Sequence, residues 1–457
     1  MDSCAQSHEL RKGLKQRHLT MIALGGVIGA GLFVGSSSVI RSTGPAAFLS
    51  FAATGVLMVL VMRMLGEMAT SRPTSGSFSD YASDAMGEWA GFSVAWLYWY
   101  FWVVVIGFEA VAGAKILNYW LPGVPLWPLA LGLMLLMVAS NLFSVESFGE
   151  FEFWFAGIKV LAIGVFIALG AMYVLGAWPG RAPDFSNLVA HGGFLPVGGT
   201  AIFSSVVVVV FSMVGAEVAT IAAAESNDPA QAIKHATRSI MVRLAVFYVI
   251  SIFLLTVILP WESVERDASP FVKAFKVMGI PGADHIMNAV VLTAVLSCLN
   301  SGIYTASRML FVLAARGQAP AGFVRVNGKG VPITAILVSS VGGFLCVLAA
   351  YVSPDTVFMF LLNSSGALML FLYIMIGVSQ LMLRIRGVQQ QEPLVKMWLF
   401  PWLTLATIAA MAALLIQMAA NTETASQVYM SLLAFVVSVV MYFIMRAARP
   451  RPLGAAG

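Results

Sequence analysis

Apolar residues run through this 457-residue chain in long blocks broken by short polar connections. A block of about 20 mainly apolar residues can cross a bilayer as one helix. Such blocks lie near residues 19–40, 45–69, 89–119, 126–144, 152–176, 200–222, 240–259, 285–314, 333–352, 356–383, 399–419 and 427–446. They predict an all-α polytopic membrane protein of twelve transmembrane helices. The connection at 70–89, TSRPTSGSFSDYASDAMGEW, is Ser- and Gly-rich and reads as a solvated linker carrying a short helix from Tyr81. The loops at 177–199 and 260–284 fall on the opposite side, and the second of them predicts a surface helix. Residues 1–18 and 447–457 read as polar tails.

Composition agrees with the pattern. The chain is 60% hydrophobic and only 10% charged, with a mean hydropathy of +0.89, which excludes a soluble globular domain. The start, MDSCAQSHELRKGLKQRH, is polar and basic, so the first apolar run is expected to be an uncleaved anchor and not a secretory signal. Of the 26 Lys and Arg residues, 19 fall on the N-terminal side of the predicted spans and 6 on the other. By the positive-inside rule this places both termini in the cytoplasm. The twenty-sixth is Lys159, inside the fifth span. A net charge of +5 distributed in this way speaks of topology and not of nucleic acid. Three cysteines, Cys4, Cys298 and Cys346, imply no disulfide framework, and the five histidines share no metal-ligand spacing. No cofactor or metal is expected.

The first span contains MIALGGVIGAGLFVG, with five glycines where a helix must hold. A dinucleotide fingerprint would need a preceding strand and a following acidic residue, and has neither. Two readings remain. The glycines can form small-xxx-small packing faces, or they can mark a helix broken at mid-membrane, whose freed backbone groups bind a charged solute. A second interruption favours the break: the sixth span reads VVVVVFSMVGAEVATIAAAES, with Ser212, Gly215 and Glu217 inside an apolar run. Transporters built from inverted repeats break the first helix of each half. Half-helix N-termini offer N–H groups to a carboxylate and half-helix C-termini offer carbonyls to a cation, so a zwitterion such as an amino acid is the natural solute.

The ionisable residues inside spans are functional candidates by default. Lys159 is the sharpest, although snorkelling to the near interface competes for it. Glu109 in the third span is expected to face the cavity and to recognise an ω-amine. Glu217 beside the break can tie the moving elements together, carry a proton, or satisfy loose N–H groups. Glu225 in AAESNDP reads as a gate or helix-end residue. In the eighth span Ser297, Asn300, Ser301, Tyr304 and Ser307 form a polar stripe at helical spacing, expected to face the path or another helix. Cys298 lies beside it.

The stretches LKQRHLTMIALGGVIGAGLFVGS, GPAAFLSF, MRMLGEMAT, GSFSDYA, GEFEFWFAGIKV, FSMVGAEVATIAAAESNDP and SCLNSGIYTASRMLFVLAARGQAP occur in order. They resemble the amino acid permeases of the amino acid–polyamine–organocation superfamily. FEA, GAEVATIAAAES and LLNSSGALMLFLY are most similar to the bacterial 4-aminobutyrate permeases; aromatic amino acid, proline and β-alanine permeases are the alternatives. The resemblance implies a LeuT-like 5+5 inverted repeat with helices 1 and 6 broken, repeat one at 19–176 and repeat two at 200–383, and two added helices at 384–446. It implies a proton-coupled importer of the cytoplasmic membrane, with a bundle of helices 1, 2, 6 and 7 moving by alternating access. For the site it implies that the Ile28-Gly29-Ala30-Gly31 motif meets the substrate carboxylate through the N–H groups of Ala30 and Gly31. It further implies that carbonyls at Val27, Phe211, Ser212 and Val214 meet the amine, with Phe211 as an aromatic gate. Lys159 would stand where sodium-coupled relatives bind sodium. A membrane enzyme is disfavoured by the lack of zinc or nucleophile motifs, a channel by the two breaks; a non-transporting sensor on the same scaffold remains open.

Overall fold

The computed structural model describes residues 21, 28–72, 74, 78–143, 145–218, 228–265, 268–388, 391–422 and 424–448. Val27 and Glu225 lie outside them, as do both expected tails apart from the last helical residues. The described residues are helical with turns and loops, and no strand occurs among them. Among the described residues nine helical runs are long and apolar enough to cross a membrane, and two shorter apolar helices, Thr200–Met213 and Ile333–Ala349, accompany them.

Burial sorts the helices into a post and a rim. Glu88–Leu117 is apolar on every face and its most hydrophobic window is 83% buried, so it stands at the centre. Its start is set by Gly87, whose φ of +97° suits glycine alone, and by Glu88 in the first turn, where a negative charge complements the helix dipole. Ala283–Ala315 packs along it, beginning after left-handed Gly282 with Asp284 in its first turn. By contrast Val145–Val174, Trp402–Ala420 and Ala425–Ala448 turn large apolar side chains outward, among them Leu161, Trp154 and Ile416. In lipid those side chains need no protein cover. Where helices must approach closely the residues are small: a Cβ on Gly342 would sit 2.1 Å from Val103, and one on Gly107 2.5 Å from the Cβ of Cys346.

Both long hydrophilic connections pack more than their composition suggests. The 70–89 segment is not a solvated linker: its helix, Phe78–Met86, buries Phe78, Ser79, Tyr81, Ala82 and Ala85. Phe78 meets Tyr98 edge-on at 4.9 Å, and Tyr81 donates to the Arg72 carbonyl at 2.8 Å. Asp80 pairs with Arg316 at 2.8 Å, Asp84 pairs with Arg72, and Arg386 donates to the Ala85 carbonyl at 2.8 Å. Gly91 makes this docking possible, since a Cβ there would lie 2.5 Å from the Ser79 carbonyl oxygen. On the opposite side Pro270–Val277 is likewise docked and not a free surface helix. Its Phe271 is fully buried, with ring centroids 5.1 Å from Phe33 and 4.9 Å from Phe166.

Candidate functional site

Two interruptions face each other in the interior. Gly29 is extended, at φ −131° and ψ −157°, and a helix begins at Ala30. In the partner segment Val206–Met213 ends at extended Val214, and Gly215 follows at φ +103°. The first-span glycines therefore serve both readings. Gly29 is extended ahead of the Ala30 helix, while Gly31 allows contact: a Cβ there would lie 2.6 Å from the Ser212 Cα. Ile28, Gly29, Ala30 and Gly31 are all buried.

Between the breaks is a cavity of about 20 Å³, room for one water and not for an amino acid. It is lined by Gly29, Gly31, Phe101, Trp102, Val105, Glu109, Phe211, Ser212, Val214 and Cys298. Glu109, 1% exposed, accepts from the Ala30 N–H at 3.3 and 3.4 Å, and the Cys298 thiol lies against the same carboxylate. Phe211 closes one wall with its ring 4.7 Å from Phe108. The carbonyl of Ser212 accepts from Tyr248 at 2.6 Å, and the Ser212 hydroxyl donates back to Val209 at 2.8 Å.

Glu217 satisfies the second break. It accepts from the Gly215 N–H at 3.2–3.3 Å and from the hydroxyls of Tyr98 and Tyr373, each at 3.3 Å. Three helical segments are thereby joined through one carboxylate.

Lys159 does not snorkel. Its helix begins at Val145, so it stands 14 residues in, about 21 Å along the axis, and its side chain is wholly buried. It donates to Ser297 at 2.8 Å; Ser297 donates to Glu152 at 2.6 Å; Lys159 and Glu152 are 3.9 Å apart. Asn300 and Tyr304 of the polar stripe also face neighbouring helices. Asn300 accepts from Asn141 at 2.7 Å and from Ser140 at 3.0 Å, and Tyr304 stacks on Phe148 at 4.0 Å. Ser301 is buried, and its hydroxyl has no hydrogen-bond partner among the described residues.

Beyond the site, where Glu88–Leu117 ends and Ala283–Ala315 begins, a cavity of about 680 Å³ reaches Val34 and is lined by Lys115, Tyr119, Lys273, Lys276 and Asp284. Among the described residues no group of three or more His, Cys, Asp or Glu side chains is placed to hold a metal ion.

The family model described as amino acid permease matches residues 18–451. The chain belongs to the amino acid permease family. It is 48% identical over 451 residues to the gamma-aminobutyric acid permease of Bacillus subtilis strain 168, covering 98% of this chain and 96% of the relative. It is 47% identical over 446 residues to the probable GABA permease of Pseudomonas aeruginosa, covering 97% and 94%. The structure superimposes on a crystal structure of an Eremococcus coleocola manganese transporter mutant with a TM-score of 0.59 at 13% identity, over 94% of this chain and 93% of that one. That likeness is one of fold alone.

For this permease, sequence reading found Glu109, Lys159, Glu217, Phe211 and the two glycine breaks, and the structure gathers all but Lys159 around or beside one cavity. It missed Glu152, although GEFEFWFAGIKV places an acid seven residues before the lysine on one helix face. It also missed Tyr98, Tyr248 and Tyr373, whose hydroxyls reach the second break; nothing in an aromatic residue's sequence position signals that reach.

Proposed function

We propose that this permease is a proton-coupled importer of 4-aminobutyrate working by alternating access, set in a bacterial cytoplasmic membrane with both termini inside. The observation that carries the reading is the Glu109 carboxylate on the Ala30 amide between two broken helices. An amide N–H that donates to one carboxylate can donate to another. When the substrate's carboxylate takes the N–H groups of Ala30 and Gly31, Glu109 is released to pair with its amine, while carbonyls of Val27, Phe211, Ser212 and Val214 complete the amine's shell. Ile28, Gly29 and Gly215 shape the breaks. The lining by Phe101, Trp102, Val105 and Phe211 suits a slim, unbranched chain, and the high identity to permeases named for gamma-aminobutyric acid supports the same solute.

Lys159 is the coupling residue, with Ser297 on its ammonium, while Glu217 holds the second break and Glu225 acts at the cytoplasmic gate. Asn300 and Ser301 steady the eighth helix beside the site. The core comprises 19–383 in two repeats, with 384–446 appended. The unequal ends support alternating access: a wide cavity opens on one side, and the docked Phe78–Met86 helix seals the other.

The test is uptake of radiolabelled 4-aminobutyrate by reconstituted protein, with and without an inward proton gradient. Phenylalanine, proline, β-alanine and lysine serve as competitors. Gradient-driven accumulation blocked by β-alanine and not by phenylalanine supports the reading. Counterflow of a different amino acid alone moves the substrate within the family, and binding without accumulation supports a sensor.

A further inference from the structure

We propose that Glu152 is the proton-accepting partner of Lys159, with the Ser297 hydroxyl passing the proton between them. Glu152 thus becomes the station through which the driving proton leaves the substrate site. The inference rests on the proton-coupled reading above and adds its route.

The geometry is that of a two-step wire. Lys159, Ser297 and Glu152 are each 0% exposed. Lys159 Nζ donates to Ser297 Oγ at 2.8 Å, and Ser297 Oγ donates to Glu152 Oε1 at 2.6 Å, so both hydrogen bonds point the same way. The direct nitrogen-to-oxygen separation of 3.9 Å is too long for a hydrogen bond, and the hydroxyl is the only bridge the three groups make. When an ammonium proton moves to Ser297 Oγ as the hydroxyl proton moves to Glu152 Oε1, the Lys159 N–H bond and the original Ser297 O–H bond break, and a new Ser297 O–H bond and a Glu152 O–H bond form. The ammonium–carboxylate pair becomes an amine and a carboxylic acid, and serine is regenerated. Net charge is zero before and after. Such buried pairs exist close to balance with their neutral form, because desolvating two charges offsets most of their attraction.

A purely structural ion pair would occupy both carboxylate oxygens, as buried polar groups do. Among the described residues Glu152 Oε2 is buried with no hydrogen-bond partner, which leaves that oxygen able to take a proton. Position agrees. Glu109 on the central helix and Cys298 on the Ala283–Ala315 helix, both of which line the cavity, lie within electrostatic reach of Lys159, which is not itself part of that lining. Glu152 lies seven residues nearer the helix start, about 10 Å toward the proposed cytoplasmic side.

The experiment compares wild type, Glu152→Gln and Glu152→Asp in proteoliposomes for gradient-driven accumulation, for counterflow at equal pH, and for the pH profile of uptake. Counterflow exchanges labelled for unlabelled substrate without releasing a proton. Glu152→Gln is expected to lose accumulation by about tenfold or more, out of proportion to counterflow, with a flattened pH profile. Glu152→Asp, which keeps the acid, is expected to recover part of both. Accumulation by Glu152→Gln at the wild-type level and with the wild-type pH profile overturns the proposal. So does parallel loss of accumulation and counterflow in both variants. Absence of gradient-driven accumulation in wild type itself is a different result, and removes the coupling reading along with this route.

Discussion

Glu109 reaches across from the central helix to the Ala30 amide with both carboxylate oxygens, at 3.3 and 3.4 Å, and so holds the first break closed with the chemistry a substrate would bring. A solute offering a carboxylate without an amine would displace Glu109 and leave it buried and unpaired. Butyrate is therefore expected to compete poorly against wild type. In Glu109→Gln, loss of a charged hydrogen-bonding partner of about 1.5–3 kcal/mol raises the half-saturation concentration for 4-aminobutyrate roughly tenfold to a hundredfold. The same variant is expected to admit butyrate as a competitor. Uptake against concentration, with and without butyrate, checks both; unchanged affinity for every solute removes the role.

Gly29 and Gly31 differ in what an added methyl group meets. At Gly31 it meets the Ser212 backbone at 2.6 Å, which neither broken helix can yield without separating. At Gly29 it meets the side-chain ends of Glu109 at 2.9 Å and Cys298 at 3.0 Å, which can turn aside. Gly31→Ala is expected to destabilise by about 1–3 kcal/mol and to abolish counterflow. Gly29→Ala is expected to fold near normally with weakened uptake. Melting temperature in detergent together with counterflow separates them.

Glu67, 2% exposed, accepts from Arg384 at 2.9 and 3.1 Å and from the Met397 N–H at 2.6 Å, pinning the second helix to the tenth and to the segment before the eleventh. Removing the guanidinium leaves a buried carboxylate with one donor. Arg384→Ala is expected to lower stability by up to about 3–5 kcal/mol, and Glu67→Gln with Arg384→Gln to recover much of it. Thermal denaturation of the single and double variants measures this.

Asp80 and Arg316 are partly exposed, so their pair adds no more than about 1 kcal/mol of stability. Its consequence is access. Arg316→Ala is expected to leave the melting temperature nearly unchanged while loosening the Phe78–Met86 helix. In a Cys4→Ser background, mass spectrometry should then find faster labelling of Cys298 by an impermeant thiol reagent applied from the N-terminal side. Equal labelling rates would show that this helix does not close that side.

Long apolar blocks, the two glycine-marked breaks and the intramembrane ionisable residues could all be read in one dimension, because bilayer thickness and the expense of an unpaired backbone group or charge act on short stretches of chain. Lys159 and Glu109 were visible for that reason. Their partners were not: Ala30 lies 79 residues from Glu109 and Ser297 lies 138 from Lys159. Polarity alone also misread the Ser- and Gly-rich segment at 70–89, and it left open whether the stripe at Ser297, Asn300 and Tyr304 faces the path or another helix, because a serine or asparagine looks the same whether water, solute or another helix receives its hydrogen bond. The sequence by itself determined that the chain crosses a membrane repeatedly and interrupts two of its helices. Only the tertiary structure decided which carboxylate meets which amide and which hydroxyl bridges lysine to glutamate, since those contacts depend on the mutual packing of helices far apart in the chain.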